Sequence, residues 1–266
     1  MCNYKSGFYT IDDLELYWKF RATQEVRVNF TPHYYENSFD HLLSPVMTAP
    51  GEVGLFSWGL IPWYTKGLDK ALLIRNQTLN AISEEMFDKP AYRDSLRDHR
   101  RCLIPATGFF EWHWNDPRGK EKQPYFIHTN SKIFSFAGIW STWTDEGNNA
   151  EVYTYSILTC PANPLLEKIH NNKKRMPVII PDEYLNDWLN PNLTKEGVLG
   201  LCKPFDQNGM DAYPIDRKVG STKIKSEEKD VAEIVAKVET TPLVVNPESN
   251  TKAKKQKGDP GQGSLF

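Results

Sequence analysis

The most chemically distinctive residue of this sequence is the cysteine at position 2. A small residue after the initiator normally lets an aminopeptidase remove Met1, which would leave Cys2 with a free amine and a thiol. An α-amine titrates at about 7.7–8.0 and a thiol at about 8.5, so both are useful nucleophiles near neutral pH. The amine can condense with an aldehyde to an imine, and the thiolate can then close a five-membered thiazolidine ring. The chain start therefore indicates covalent chemistry on an aldehyde, against the alternative that Cys2 is an ordinary second residue.

Three later residues could assist that chemistry. Glu111 lies between aromatic residues, where burial raises a carboxyl pKa and suits it to donate and accept protons; the alternative is a structural salt bridge. His170, at the end of a predicted helix and before a basic loop, is the natural second acid–base group, although a lone histidine is often structural. Asn80 could hold the Cys2 amine or an oxyanion by neutral hydrogen bonds, or it could simply form a turn.

The bulk composition narrows the class of protein. The 266 residues are 39% hydrophobic and 25% charged, which is typical of a soluble globular protein. The formal net charge is −2, so nucleic-acid binding would need a local basic patch. The four cysteines form no CxxC pair, and the sequence predicts neither a metal site, a cofactor nor a disulfide framework. We find no signal peptide or membrane-spanning run, and we expect a monomer in the reducing bacterial cytoplasm.

The pattern of apolar residues predicts many strands and a few separate helices. Predicted strands cover residues 52–58, 102–114, 124–128, 133–140, 152–159 and 176–180, and predicted helices cover 12–20, 90–100, 163–170, 182–189 and 226–238. Alternation along 102–114 places Phe110, Trp112 and Trp114 on one face, with Phe109 and Glu111 on the other. We assign Trp112 and Trp114 to the core. This mixture indicates an α+β fold around a β-barrel or sandwich.

One domain is predicted over residues 1–245, with its motif-bearing core at 2–220. Residues 246–266 contain almost nothing that a core could bury, so we predict a disordered C-terminal tail.

Five short motifs together resemble the SOS-response-associated peptidase (SRAP) family. They are WGLIP at 58–62, NA at 80–81, GFFEW at 108–112, IH at 169–170 and RMPVI at 175–179, and with Cys2 the resemblance extends to about Ile215. It implies a β-rich, barrel-like fold with peripheral helices and a positively charged DNA groove. It also implies a DNA-damage protein whose N-terminal cysteine bonds to the aldehyde of an abasic site in single-stranded DNA, with Cys2, Asn80, Glu111 and His170 as catalytic residues.

Basic and aromatic residues supply candidates for the DNA groove, because single-strand binders combine phosphate contacts with stacking surfaces. The candidates for phosphate contacts are Lys5, Arg75, Arg93, Arg97, Lys173, Lys174 and Arg175, and those for stacking are Trp63 and Pro32. The alternative is that many of these charges are merely solvated.

Three features depart from the family pattern and affect the expected DNA contacts. The chain begins Cys2-Asn3-Tyr4-Lys5, whereas many members have Gly then Arg after the cysteine, and we expect Lys5 to replace that arginine as a phosphate contact. Ile82 follows Asn80 and Ala81 at a position where family members usually have an arginine, so one expected phosphate contact is missing. Four residues separate His170 from Arg175, where a single residue is common.

Two other functions are compatible with the same residues. An N-terminal-nucleophile peptidase or amidase would use the Cys2 thiolate against a carbonyl, and removal of its own Met1 could be its only reaction. A non-catalytic single-strand-binding module would leave Cys2 without a role. An oligonucleotide that carries an aldehyde distinguishes the three hypotheses.

The last five residues, QGSLF, resemble the peptide by which bacterial repair and replication proteins dock on the sliding clamp. Leu265 and Phe266 would fill an apolar pocket, and the Gln262 amide would bond at its rim. The alternatives are a chance match or a tail that folds back onto the domain. The predicted partners are therefore abasic single-stranded DNA and a sliding clamp, with no membrane.

Overall fold

Strands dominate the computed structural model, which describes residues 2–240. The strands are β1 (Tyr4–Gly7), β2 (His33–Asn37), β3 (Leu43–Ala49), β4 (Glu52–Trp58), β5 (Asn80–Ile82), β6 (Arg101–Ala106), β7 (Gly108–Trp114), β8 (Lys122–Thr129), β9 (Phe134–Asp145), β10 (Ala150–Pro161), β11 (Arg175–Pro177), β12 (Ile179–Ile180) and β13 (Met210–Pro214). The helices are α1 (Ile11–Trp18), α2 (Gln24–Asn29), α3 (Leu68–Arg75), α4 (Pro90–Arg97), α5 (Pro164–Ile169), α6 (Leu185–Leu189), α7 (Lys195–Leu201) and α8 (Ser226–Lys229). The predicted clamp-binding residues Gln262, Leu265 and Phe266 lie outside the described range.

Five of the strands close into a barrel. β10 pairs with β4 in parallel and with β9 antiparallel, and the ring continues from β9 through β6 and β3 back to β4. Strand β5 extends the ring along β10, where Asn80 lies opposite Ile157 in parallel register. The barrel and its surrounding helices confirm the predicted β-rich α+β architecture.

The remaining long strands form a second sheet in the order β13-β8-β7-β1-β2. Its central strands β1 and β7 are antiparallel neighbours, with Lys5 opposite Phe109 and Ser6 opposite Gly108. Phe109 packs into the main core and Phe110 into a smaller core on the opposite face of the sheet, as the alternation along the strand predicts. This sheet carries the chain start to the neighbourhood of Glu111.

Local sequence signals account for most helix boundaries. Thr10 caps α1 through a capping box with Asp13, so this helix begins one residue before the predicted Asp12. Asn163 caps α5 by accepting from the Leu166 amide. Pro90 occupies the first turn of α4, where its missing N–H costs nothing.

The predicted strands 102–114 and 176–180 are each divided in two. At Thr107 the backbone N–H donates to Ser6 O at 2.8 Å, which draws the chain out of the barrel and into the second sheet. At Val178 the N–H donates to Leu158 O and the carbonyl accepts from Ala137 N, both at 2.9 Å. The residue therefore bridges two strands without belonging to either.

The predicted helix 226–238 is wrong. Helix α8 ends at Lys229 because the Asp230 carboxylate accepts hydrogen bonds from the backbone N–H groups of Tyr34 and Tyr35 at 2.6 and 3.1 Å. Ile234 is buried in the core formed with Phe110. Tertiary contacts to β2 thus hold the segment against the sheet as short turns. No helix within residues 2–240 is long and apolar enough to cross a membrane.

Candidate active site at the chain start

Cys2 lies two residues before strand β1, which pairs with β7. Because β1 and β7 are antiparallel, residues before Lys5 run toward the part of β7 that holds Glu111. Cys2 is buried, and its thiol donates to Tyr4 O at 3.6 Å. Burial raises the Cys2 thiol pKa far above its usual value, and the charge of Glu111 raises it further. The thiol is therefore held protonated next to a carboxyl group.

Asn80 reaches the chain start from strand β5. Its Nδ2 donates to Asn3 Oδ1 at 3.0 Å, and its backbone carbonyl accepts from the Tyr92 hydroxyl at 3.1 Å. The Asn80 Oδ1 atom is buried and has no hydrogen-bond partner among the described residues. An acceptor is therefore free beside Asn3, the neighbour of Cys2.

His170 approaches Glu111 from the end of helix α5. Its Nδ1 is 3.5 Å from Glu111 Oε1 and donates a hydrogen bond to Arg175 O at 2.9 Å. The bond to Arg175 fixes the proton on Nδ1 and leaves Nε2 as the acceptor nitrogen of the neutral ring. Both side chains are more than nine-tenths buried.

Burial shifts the protonation of this pair in opposite directions. Desolvation raises the pKa of Glu111 to about 7 and lowers the pKa of His170 to about 4. At pH 7 His170 is therefore neutral and Glu111 is close to half protonated, so their contact is not a salt bridge between full charges. Glu111 can give or take a proton near neutral pH, whereas His170 can only accept one. The sequence predicts His170 as the second acid–base group; because burial keeps its ring neutral near pH 7, His170 is available there as a proton acceptor and not as a donor.

A pocket of about 300 Å³ opens beside Glu111 and His170. Its wall consists of aromatic, amide, basic and acidic side chains and one glycine. The residues are Asn3, Tyr4, Glu111, Trp112, Trp114, Lys122, His170, Asn172, Lys173 and Gly220. The assignment to the core is confirmed in part for Trp112, which packs half-buried against the smaller core around Phe110. It is wrong for Trp114, because β7 emerges from the sheet interior after Glu111 and leaves Trp114 half-buried outside both cores. The turn that follows directly after Trp114 in the sequence could have predicted that the end of this strand is partly exposed.

Three residues that were predicted to contact phosphates make other interactions in the structure. Lys5 is fully buried, and its Nζ lies 2.6 Å from Glu36 Oε2; the prediction of a DNA contact is wrong for this residue because no phosphate can reach it. Arg175 pairs with both carboxylate oxygens of Glu84 at 2.8 Å. Arg75 is half-buried and donates to Ser57 Oγ at 3.0 Å.

Other predicted contacts lie on the surface. Trp63 is 59% exposed, and its Nε1 donates to Asp94 Oδ2 at 3.1 Å. Asp94 also pairs with the exposed Arg97 at 3.3 Å and more loosely with Arg93 at 3.8 Å. The structure therefore brings together one stacking candidate and two basic candidates. Lys173 and Lys174 are exposed, and Pro32 is half-buried just before β2. Their contact with DNA stays a prediction.

No group of three His, Cys, Asp or Glu side chains within residues 2–240 is placed to hold a metal ion. All four cysteines are free.

Comparison with known proteins defines the class of this protein. The family model "SOS response associated peptidase (SRAP)" matches residues 1–222, and the chain belongs to that family. The abasic site processing protein YoqW of Bacillus subtilis (strain 168) is 41% identical over 179 residues, which cover 66% of this chain and 75% of that protein.

A vertebrate relative and a solved structure extend the comparison. The abasic site processing protein HMCES of Gallus gallus is 29% identical over 218 residues, covering 74% of this chain and 61% of that protein. A crystal structure of a protein from Bacteroides thetaiotaomicron superposes with a TM-score of 0.81 at 34% identity, over 90% of this chain and 100% of that chain.

Proposed function

We propose that this chain, once Met1 is removed, captures abasic sites in single-stranded DNA as a thiazolidine adduct on Cys2. The observation that carries the proposal is that Glu111 and His170 line one small pocket together with Asn3, the neighbour of Cys2. Asn80 comes from a separate strand and donates to that same Asn3. Family membership and relatives named for abasic site processing support it.

The abasic sugar must first open from its closed hemiacetal to the aldehyde. Opening removes the proton of the anomeric hydroxyl and adds one to the ring oxygen. Neutral His170 can accept the first, and the protonated fraction of Glu111 can give the second, because their pKa values are shifted in opposite directions by burial. The same sugar then presents a free aldehyde to the chain start.

The amine of Cys2 is the first nucleophile in this proposal. It attacks the aldehyde carbon, and Glu111, which His170 has reprotonated after ring opening, transfers its proton to the departing hydroxyl. One water leaves, and a protonated imine and the Glu111 carboxylate remain. The free Oδ1 of Asn80 offers an acceptor for the N–H of the attacking amine. The Cys2 thiol then adds to the C=N bond: sulfur bonds to carbon, the C=N electron pair goes to nitrogen, and the thiol proton passes to the Glu111 carboxylate, which leaves a neutral ring.

The burial of Cys2 supports this order of events. Because desolvation raises the thiol pKa, very little thiolate exists near pH 7, and a reaction that began with free thiolate would be slow. The amine needs only to lose a proton with an ordinary pKa of about 8. A thiol beside a carboxyl group can pass its proton directly as it closes the ring, which favours imine formation before sulfur attack.

The exposed surface of Trp63, Arg93 and Arg97, together with Lys173 and Lys174, supplies the DNA path in this proposal. An exposed indole near basic side chains fits the stacking and phosphate contacts by which proteins hold single strands. Asp94 fixes Trp63 and Arg97 relative to each other, at the cost of one negative charge near the path.

The test is a covalent-adduct assay with an abasic single-stranded oligonucleotide. Protein that begins at Cys2 is expected to give a one-to-one adduct whose mass is the sum of both partners minus one water. Cys2→Ala is expected to retain an imine that borohydride can trap, but to lose the stable ring.

An undamaged oligonucleotide and protein with an N-terminal extension serve as controls. Both are expected to give no adduct. A full-yield adduct from the extended protein would falsify the mechanism, because the extension removes the only amine adjacent to the thiol. Turnover of a peptide without any DNA adduct would favour the hydrolytic alternative.

A further inference from the structure

The pocket beside Glu111 and His170 presents far more aromatic surface than an abasic sugar can use. We propose that the aromatic end of this pocket, formed by Tyr4, Trp112 and Trp114, binds the base of the nucleotide adjacent to the lesion. The inference rests on the proposed function and adds a substrate subsite to it. An abasic position has lost its own base, so only a neighbouring nucleotide can supply a planar group for this wall.

The aromatic end is held in a defined geometry. The Tyr4 ring stacks on Tyr35 with centroids 5.5 Å apart and meets Trp112 edge-on at 5.0 Å. The backbone N–H of Trp114 donates to Asn171 Oδ1, and its carbonyl accepts from Asn171 Nδ2, each at 3.0 Å. These contacts fix the end of β7 against the loop that follows His170. The rings are therefore preorganised, which reduces the ordering cost of binding a planar ligand.

The Trp114 indole is in contact with a backbone glycine and is covered by a movable group. A Cβ at Gly119 would lie 2.6 Å from Trp114 Cε3, so this glycine, with φ of 63°, packs directly on the indole. Above the ring, the Lys122 ammonium lies 4.8 Å from the ring centroid. Lys122 is exposed and its side chain can swing away. A base can therefore take the position of the ammonium on the indole face.

The charges around the pocket match a nucleotide. Lys122 and Lys173 are both exposed and both line it. A lysine displaced from the indole by a base stays within reach of the phosphate attached to that nucleotide, and Lys173 lies near Glu111 and His170, on the lesion side. Aromatic faces with flanking cations are the combination that binds single strands without selecting a sequence, since every base has a π-face.

The size of the pocket agrees with this assignment. A volume of about 300 Å³ is at the lower end of the range for small-molecule sites, roughly 300–1,000 Å³. We therefore expect one base to enter, and purines to bind better than pyrimidines because they stack over a larger area.

A lesion analogue without an aldehyde tests this subsite separately from the covalent chemistry. The probe is a single-stranded oligonucleotide with a tetrahydrofuran abasic analogue and the fluorescent base 2-aminopurine on its 5′ or 3′ side. Stacking is expected to quench the fluorescence for one of the two neighbours when wild-type protein binds. Trp114→Ala is expected to lose that quenching and to bind about tenfold more weakly, within the range for one base–aromatic stack.

Removing the neighbouring base from the probe gives a second measurement, in which the DNA is changed as well as the protein. Replacing that nucleotide by a baseless spacer is expected to weaken wild-type binding by about tenfold and to leave Trp114→Ala binding unchanged, as for two changes that remove one interaction. Tyr184→Ala is the matched control, since Tyr184 is an exposed aromatic residue (43%) that does not line this pocket. It is expected to behave as wild type.

The outcomes separate the subsite from the proposed function. Equal wild-type affinity with and without the neighbouring base, and no quenching on either side, would overturn the subsite even if true abasic DNA still forms the adduct. Quenching that depends on Trp114, combined with no adduct on true abasic DNA, would support the subsite and contradict the covalent chemistry.

Discussion

The ammonium of Lys5 lies 2.6 Å from the Glu36 carboxylate, and both side chains are buried. The two residues are opposite each other on β1 and β2, and Ser44 donates a further hydrogen bond to Glu36 at 3.0 Å. A Cβ on Gly7 would collide with Glu36 Oε1, so the glycine makes room for this carboxylate. The pair joins the strand that begins just after Cys2 to its neighbour in the sheet.

Removing one partner of this pair is expected to destabilise the protein strongly. Glu36→Gln leaves the Lys5 ammonium buried without a counter-charge, which costs about 3–5 kcal/mol in comparable cases. The free energy of unfolding in denaturant measures the effect. Glu146→Gln, an exposed carboxylate in the turn between β9 and β10, is the control and is expected to change stability by less than about 0.5 kcal/mol.

Replacing both partners gives the complementary result. Lys5→Met with Glu36→Leu removes both charges together and is expected to recover most of the stability lost in Glu36→Gln, since apolar replacements of buried pairs are often neutral or better. If the double variant is as unstable as the single one, the loss comes from packing and not from an unpaired charge.

Glu111→Gln is expected to slow adduct formation with abasic single-stranded DNA by about 10²–10⁴-fold, the usual contribution of a general acid–base group. Binding of undamaged single strands should be nearly unchanged, because Glu111 is buried and transfers protons in the proposed reaction. Single-turnover adduct kinetics and an equilibrium binding titration measure the two quantities.

Glu183→Gln provides an exposed carboxylate control away from the pocket, with wild-type kinetics expected. A wild-type rate of adduct formation for Glu111→Gln would show that Glu111 takes no part in the proposed reaction.

The pKa shift of Glu111 predicts a pH-dependent loss of stability. Its folded pKa of about 7 lies above the ordinary value of 4.5, so the folded state binds this proton more tightly than the unfolded state. The resulting stabilisation is complete below about pH 4.5 and disappears as pH rises through about 7. Its size is on the order of 3 kcal/mol for a shift of this extent. His170 acts oppositely, since its lowered pKa removes stability as pH falls from 6.5 to about 4.

Unfolding titrations between pH 4 and 8 measure this difference. Subtracting the Glu111→Gln curve from the wild-type curve isolates the contribution of Glu111, because His170 is present in both proteins. We expect wild type to lose stability relative to Glu111→Gln as pH rises through this window. Parallel curves would show that Glu111 has an ordinary pKa.

Lys173→Ala and Lys174→Ala are expected to weaken binding to single-stranded DNA and to flatten its dependence on salt. Each lost phosphate contact should reduce the slope of log K against log salt by about 0.7. Lys195→Ala, an exposed lysine on α7, is the control and should leave the slope unchanged. A wild-type salt dependence of DNA binding in the Lys173 and Lys174 variants would show that DNA binds to another surface.

The sequence by itself determined the class of fold, and it indicated which groups could react. A cysteine at position 2, a glutamate among aromatics and a histidine at a helix end have recognisable chemistry wherever the chain places them. Strand β4 begins and ends where alternation and turn residues predicted, at Glu52 and Trp58. Such signals are local: a cap, a turn or a period-2 pattern acts within a few residues, so the sequence shows it directly.

Only the tertiary structure decided which charged and aromatic side chains are available. Lys5 is buried because Glu36, on a different strand, neutralises it there, and no local pattern contains that pairing. Trp112 and Trp114 line a pocket because β7 ends at the rim of its sheet beside the loop after His170. The raised pKa of Glu111 likewise depends on the total burial that distant segments provide. Burial is a sum over the whole chain, and it is fixed only when the strands have found their partners.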